Sequence, residues 1–144
     1  LKAAYAHRDW ERIAALRQVK FQLPLEHPHT ALAATRAFYW IEDTHASEIS
    51  ARFCLRVFEQ YYCFGLDTNS EDAIANLAAE LGIRKEEILS GISTTRIKAR
   101  ARRHCDDAIS RGVFGSPFFF VGGEPFWGWD RMPMMENWIN RNGW

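Results

Sequence analysis

The stretch Gly112–Arg131 reads G-V-F-G-S-P-F-F-F-V-G-G-E-P-F-W-G-W-D-R and restricts the backbone more than any other part of the chain. Pro117 opens an apolar run, Phe118-Phe119-Phe120-Val121. A proline lacks the amide hydrogen a ladder needs, so it stands at a strand start or on an edge, not in a central strand. Gly122-Gly123 then separates two β-like runs, which predicts a hairpin because primed turns need φ > 0 at their central positions. Pro125 keeps the second strand short or at an edge. Asp130 precedes a segment with helical spacing and fits an N-cap. The order read here is loop, strand, tight turn, strand, loop and helix.

These residues carry a resemblance. The pattern G-V-F-G-x-P-x-F-x-V-x-G-E-x-F-W-G-x-D-R is similar to the C-terminal signature of 2-hydroxychromene-2-carboxylate isomerases, relatives of the kappa-class glutathione transferases and of the DsbA-like branch of the thioredoxin superfamily. The resemblance implies glutathione as cofactor and a cis bond at Ser116–Pro117. It implies that the backbone of Ser116 pairs with the cysteine part of glutathione, and that Trp127, Gly128, Trp129 and Asp130 reach the γ-glutamyl end. On that reading Asp130 accepts from the ligand's ammonium group and the helix opening at Arg131 holds its carboxylate.

The 144 residues suffice for one compact domain with a sizeable core, and a hydrophobic share of 47% excludes a disordered chain. Formal net charge is zero, so no global bias favours nucleic acid or an anionic membrane. No apolar run approaches the ~20 residues of a membrane span, and no signal peptide is read. Cys54, Cys63 and Cys105 form no C-x-x-C, and three unpaired thiols suit a reducing, cytoplasmic setting.

Along the chain, Leu1–Gln18 has helical rhythm, and its Tyr5, Asp9 and Arg12 resemble the spacing of a family helix; an amphipathic helix with an exposed ion pair is the plainer reading. Val19–His29, with Pro24 and Pro28, is a loop, and His27-Pro28-His29 is a weak candidate for a metal. Relatives place a Phe-Pro and a nearby asparagine here, where this chain has His27-Pro28 and Thr30. Thr30 is expected to cap a helix to Thr44. A second helix, His45–Phe64, carries Phe58, Tyr61, Tyr62 and Phe64, read as core in preference to a pocket lining. Ser70 caps a helix from Glu71 to Leu81, and Gly82 ends it. A short helix over Arg84–Ser90 precedes a long one from Ile92 to Arg111. Its basic run, Lys98, Arg100, Arg102, Arg103 and His104, is read as a solvated face in preference to a steering surface for anions. The last helix starts near Arg131, with Pro133 in its first turn and Met135, Trp138 and Ile139 inward.

Helices, a hairpin and a helix give no strand-crossover-strand unit. The resemblance therefore implies an α/β thioredoxin-like fold, mostly helical in this chain: a helical insertion over residues 1–90, then the C-terminal half of the thioredoxin-like domain over residues 91–144. The strand-helix-strand unit, with the serine that activates the glutathione thiol, is expected before Leu1, so the chain reads as a fragment with no catalytic residue of its own. The implied reaction is a glutathione-dependent cis–trans isomerisation in the breakdown of naphthalene-like aromatics. A thiolate adds to the conjugated chromene, the ring opens, a single bond rotates, and elimination returns glutathione. A small aromatic substrate and glutathione are the expected partners, with a homodimer left open. A DsbA-like thiol–disulfide oxidoreductase would need a C-x-x-C upstream, a kappa-class transferase shares the cofactor, and a non-catalytic binding module needs neither.

Overall fold

The computed structural model describes residues 2–28 and 30–144; Leu1 and His29, both named above, lie outside them. The chain divides into two compact units, Leu1–Arg102 and Arg103–Trp144.

The first unit is helical. Helix α1 spans Lys2–Arg17, α2 Leu32–Thr44, α3 Ser47–Phe64, α4 Glu71–Glu80 and α5 Lys85–Ser93; α6, Thr95–Ser110, begins here and runs on into the second unit. Helix α2 packs against α3, α4 and α5. It can do so because its inward positions are small: Ala33, Ala34 and Ala37 let the neighbours approach, and Ile41 closes the stripe. Phe53, Ile74, Ile88 and Ile92 meet them, each essentially solvent-free. Each such side chain contributes about 1.5–3 kcal/mol by its burial. On α1 the plainer reading is borne out: Asp9 and Arg12 form an exposed ion pair at 3.4 Å. Residues 18–28 are a loop without a strand.

Several helix ends differ from expectation. Thr30 does not cap α2; the N-cap is Ala31, which offers no side-chain bond, and the helix starts at Leu32. Helix α3 begins two residues later than read, after Ala46. Ser70 does cap α4, its hydroxyl accepting from the Ala73 N–H at 3.3 Å. Gly82 follows α4 with φ +84°. The largest revision lies at Gly91, which falls between the helices read over Arg84–Ser90 and Ile92–Arg111. It is buried inside α5 under the Trp40 indole, and the break falls at Thr94, whose Oγ1 accepts from the Ile97 N–H at 3.4 Å. A glycine there answers to a neighbouring ring and not to a turn. The shifted start makes Ile97 the buried residue of α6, while Cys105 and Ile109 are exposed.

In the second unit α6 ends in a Schellman motif. Gly112 takes φ +76°, the Gly112 N–H donates to the Ile109 carbonyl, and the Val113 N–H donates to the Ala108 carbonyl, both at 3.0 Å. Strands β1, Phe118–Val121, and β2, Glu124–Trp127, form the predicted antiparallel hairpin in the register Phe118↔Trp127 to Val121↔Glu124. Gly122 and Gly123 both take positive φ, as a primed turn demands. The apolar face of β1 is half-covered: Phe114 sits edge-on to Phe118, and the Arg111 guanidinium lies 3.7 Å from the Phe120 ring centre. Helix α7, Met132–Arg141, follows a short 3-10 turn, Trp129–Arg131. Trp138 faces buried Phe126 at 6.4 Å, whereas Ile139, expected inward, is exposed. Among the described residues no helix is long and apolar enough to cross a membrane.

Candidate functional site

The residues singled out at the C-terminal signature converge at one end of the hairpin. The Ser116–Pro117 bond is cis, as the resemblance implied. The Pro117 carbonyl accepts from the Gly128 N–H at 2.9 Å, which ties the loop before β1 to the residue after β2. Two glycines make this closure possible. A Cβ on Gly115 would lie 2.5 Å from the Trp127 Nε1, so the indole seats directly on the loop backbone. Gly128 has φ +99°, a conformation side-chain-bearing residues rarely adopt, and a Cβ there would meet the Asp130 Oδ1 at 2.4 Å. Phe114 packs edge-on to Trp127 at 4.9 Å and completes an aromatic wall. Ser116, Trp127, Trp129 and Asp130 are exposed.

Asp130 does not have its expected structural role. It lies within the 3-10 turn, the N-cap of α7 is Arg131, and no side chain caps that helix. The turn inserts one more residue before α7, and Gly128 directs the carboxylate back across its own Cα. There Asp130 pairs with the exposed Arg131 guanidinium at 3.1 Å. An exposed carboxylate that caps nothing contributes little to folding and can receive a ligand's ammonium group.

One residue of the basic run of α6 is taken up by acidic partners. Arg100 bonds Glu42, Asp43 and, at 3.1 Å, the Tyr39 carbonyl, and Arg96 also reaches Asp43. Within the run, Arg100 fastens α6 to the end of α2, while Lys98, Arg102, Arg103 and His104 are exposed, as a solvated face requires.

A second concave feature lies wholly in the first unit. A cavity of about 430 Å³ opens between α2, α3 and the His27-Pro28 loop, with Phe38, Phe53, Val57, Phe58, Tyr61 and Tyr62 in its wall. The preference for core over pocket lining is therefore reversed for three of the four aromatics. Phe58 and Tyr62 are exposed, Tyr61 is buried with its ring in the wall, and Phe64 lies apart beneath the Lys20 ammonium. Helical spacing of aromatics cannot separate these outcomes, because the same stripe serves a core or a cleft. Cys54 also lines the cavity, and burial pushes its thiol up from the ordinary value. It is held protonated and unreactive at neutral pH. Labelling with iodoacetamide at pH 7.5 should therefore modify exposed Cys105 well before Cys54; equal rates would contradict this environment.

The architecture has a counterpart among known proteins. The model of the DSBA-like thioredoxin domain matches residues 1–140. The chain belongs to the DSBA-like thioredoxin domain family. Relatives of this DSBA-like thioredoxin domain include the 2-hydroxychromene-2-carboxylate isomerase of Sphingobium xenophagum, 25% identical over 138 residues covering 91% of this chain and 65% of the relative. The enzymes of the same name from Pseudomonas sp. (strain C18) and Pseudomonas putida are each 27% identical, covering 95% and 98% of the chain and 62% and 67% of theirs. A solved selenomethionine structure of 2-hydroxychromene-2-carboxylate isomerase superposes with a TM-score of 0.84 at 26% identity, over 97% of this chain and 66% of that one. This DSBA-like thioredoxin domain thus spans about two thirds of the length of the curated relatives it matches. Its mostly helical make-up with a terminal hairpin and helix is the expected thioredoxin-like fold.

Proposed function

We propose that the chain is the helical insertion and C-terminal half of a cytoplasmic, glutathione-dependent isomerase acting on 2-hydroxychromene-2-carboxylate-type aromatics. One observation carries this reading. The Gly128 N–H to Pro117 carbonyl bond brings Ser116–Pro117 and Trp127–Asp130, distant in sequence, into a single exposed cradle. The cradle fits the tripeptide chemically. The loop backbone at Ser116 offers strand-like pairing to a peptide, the Trp127 indole walls one side, and Asp130 supplies a carboxylate for an ammonium group. Bound glutathione would supply a thiol nucleophile for the double-bond isomerisation. The residues of this chain bind and orient it, and thiol activation belongs to the strand-helix-strand unit that the family resemblance places before them. That unit also completes the sheet, since a lone two-stranded hairpin is marginal in water.

The test compares the 144-residue chain with a chimera carrying a relative's strand-helix-strand unit ahead of Leu1. Glutathione is titrated by calorimetry, and ring-opening of 2-hydroxychromene-2-carboxylate is followed by absorbance. The chimera should bind glutathione and turn over, and the shorter chain should bind weakly without turnover. Turnover by the shorter chain at a comparable rate would place thiol activation within these residues. A chimera that folds without binding glutathione would remove the reading.

A further inference from the structure

Phe114 and Gly115, in the loop before β1, are residue types that their own local geometry does not ask for. Gly115 is not among the glycines of positive φ, so its backbone would admit a side chain. What excludes one is the Trp127 indole: a Cβ at position 115 would meet its Nε1, Cε2 and Cδ1 atoms at 2.5, 3.1 and 3.4 Å. Phe114 is 70% exposed, so burial does not account for its large apolar ring. That ring instead stands edge-on to Phe118 at 5.3 Å and to Trp127 at 4.9 Å. Trp127, itself half-exposed, therefore has a glycine at its pyrrole edge and a phenyl ring set against it. The next residue, Gly128, donates its N–H to the Pro117 carbonyl at 2.9 Å and closes the loop.

We propose that Gly115 and Phe114 are positioning residues for the peptide cradle. Both act through Trp127, holding its indole in one orientation as a preformed wall beside the Ser116 backbone. A half-exposed indole with no such seat would have to be ordered when ligand binds, and that ordering weakens affinity; a fixed one avoids it. A methyl group at position 115 cannot share the space of the indole. Because the indole is half-exposed, it yields by rotating off the loop, so the wall is lost while the β1–β2 ladder is kept. The edge-on contact with Phe114 opposes that rotation. The ligand in this inference rests on the glutathione reading of the cradle. The positioning itself rests on contacts within the second unit, and one arm of its test contains no glutathione.

The first arm uses the 144-residue chain labelled with nitrogen-15, with the Trp127 indole N–H signal assigned by its loss in Trp127→Phe. Gly115→Ala and Phe114→Ala should each shift that signal more than the indole signal of Trp138, which packs on Phe126. The second arm uses the chimera with the strand-helix-strand unit and measures steady-state kinetics. Each substitution should raise KM for glutathione roughly three- to tenfold, the range of one aromatic contact. The KM for the chromene and kcat at saturating glutathione should stay within about twofold, the pattern of lost uniform binding. A merely structural defect would do the reverse, lowering kcat through loss of folded protein and leaving both KM values unchanged. In Trp127→Ala, adding Gly115→Ala should cost no further affinity, since there is no indole left to displace. An unmoved Trp127 signal, an unchanged KM for glutathione, or full additivity in the double variant would each overturn the proposal. A parent chimera that folds without binding glutathione would remove the glutathione reading, and a Trp127 signal that shifts as expected would leave the positioning standing.

Discussion

Alanine at position 91 is expected to lower the stability of the chain by about 1–3 kcal/mol, the usual cost of overpacking. At an exposed helical site the same change adds about 0.5–1 kcal/mol, because glycine loses more backbone freedom on folding. The sign reverses here because the new methyl would fall 2.3–2.5 Å from the Nε1, Cδ1 and Cε2 atoms of Trp40. The half-buried indole packs against the α2–α5 core and faces the His45 ring at 5.5 Å, so admitting the methyl requires it to leave those contacts. Urea denaturation of Gly91→Ala and of Ser90→Ala, its exposed neighbour, measures the contrast, with the control expected within about 0.5 kcal/mol of the parent. Adding Trp40→Ala to Gly91→Ala should restore the ordinary benefit of alanine, a coupling that a double-mutant cycle isolates. An alanine variant as stable as the parent would show that Trp40 yields freely.

The second large effect concerns ligand affinity. In the chimera, Asp130→Ala is expected to weaken glutathione binding by about 1.5–3 kcal/mol, roughly ten- to 150-fold, as loss of a charge-assisted contact does. Its melting temperature should hardly move. The carboxylate caps no helix, so the loss of about 1 kcal/mol that follows removal of an N-cap does not apply, and an exposed pair with Arg131 contributes at most about 1 kcal/mol. Asp130→Asn keeps the shape and should fall between the two, because an amide oxygen still accepts without the charge. Calorimetric titration and a melt on the same samples separate the roles. Unchanged affinity would confine Asp130 to its pair with Arg131.

These two positions also show how far residue patterns reach. Both Gly91 and Asp130 belong to types with strong local meanings, a helix breaker and a helix cap, and neither has its local meaning here. The glycine is required by a ring that arrives from α2, fifty-one positions earlier. The aspartate is displaced from the cap by a 3-10 turn whose geometry depends on Gly128. Some purely local meanings held, although that of Thr30 as a cap did not. Ser70 caps α4, Gly82 follows its end, and Gly122-Gly123 turns the expected hairpin.

The sequence by itself determined the succession of helices, the hairpin and final helix, and the thioredoxin-like family. Each rests on short-range backbone constraints, on apolar periodicity, or on a long run of uncommon residues in a set order. Only the tertiary structure decided what the side chains face. It showed that Gly91 is an interior contact, that Arg100 is taken up by Glu42 and Asp43, and that Phe58, Tyr61 and Tyr62 line a cavity. It also showed that Pro117 and Gly128 close one cradle. The physical reason is common to all four. A stripe of aromatics or a run of arginines has the same spacing whether it meets a core, an acidic helix end or solvent. Which of these it meets is set by partners distant in sequence, whose approach no local pattern encodes.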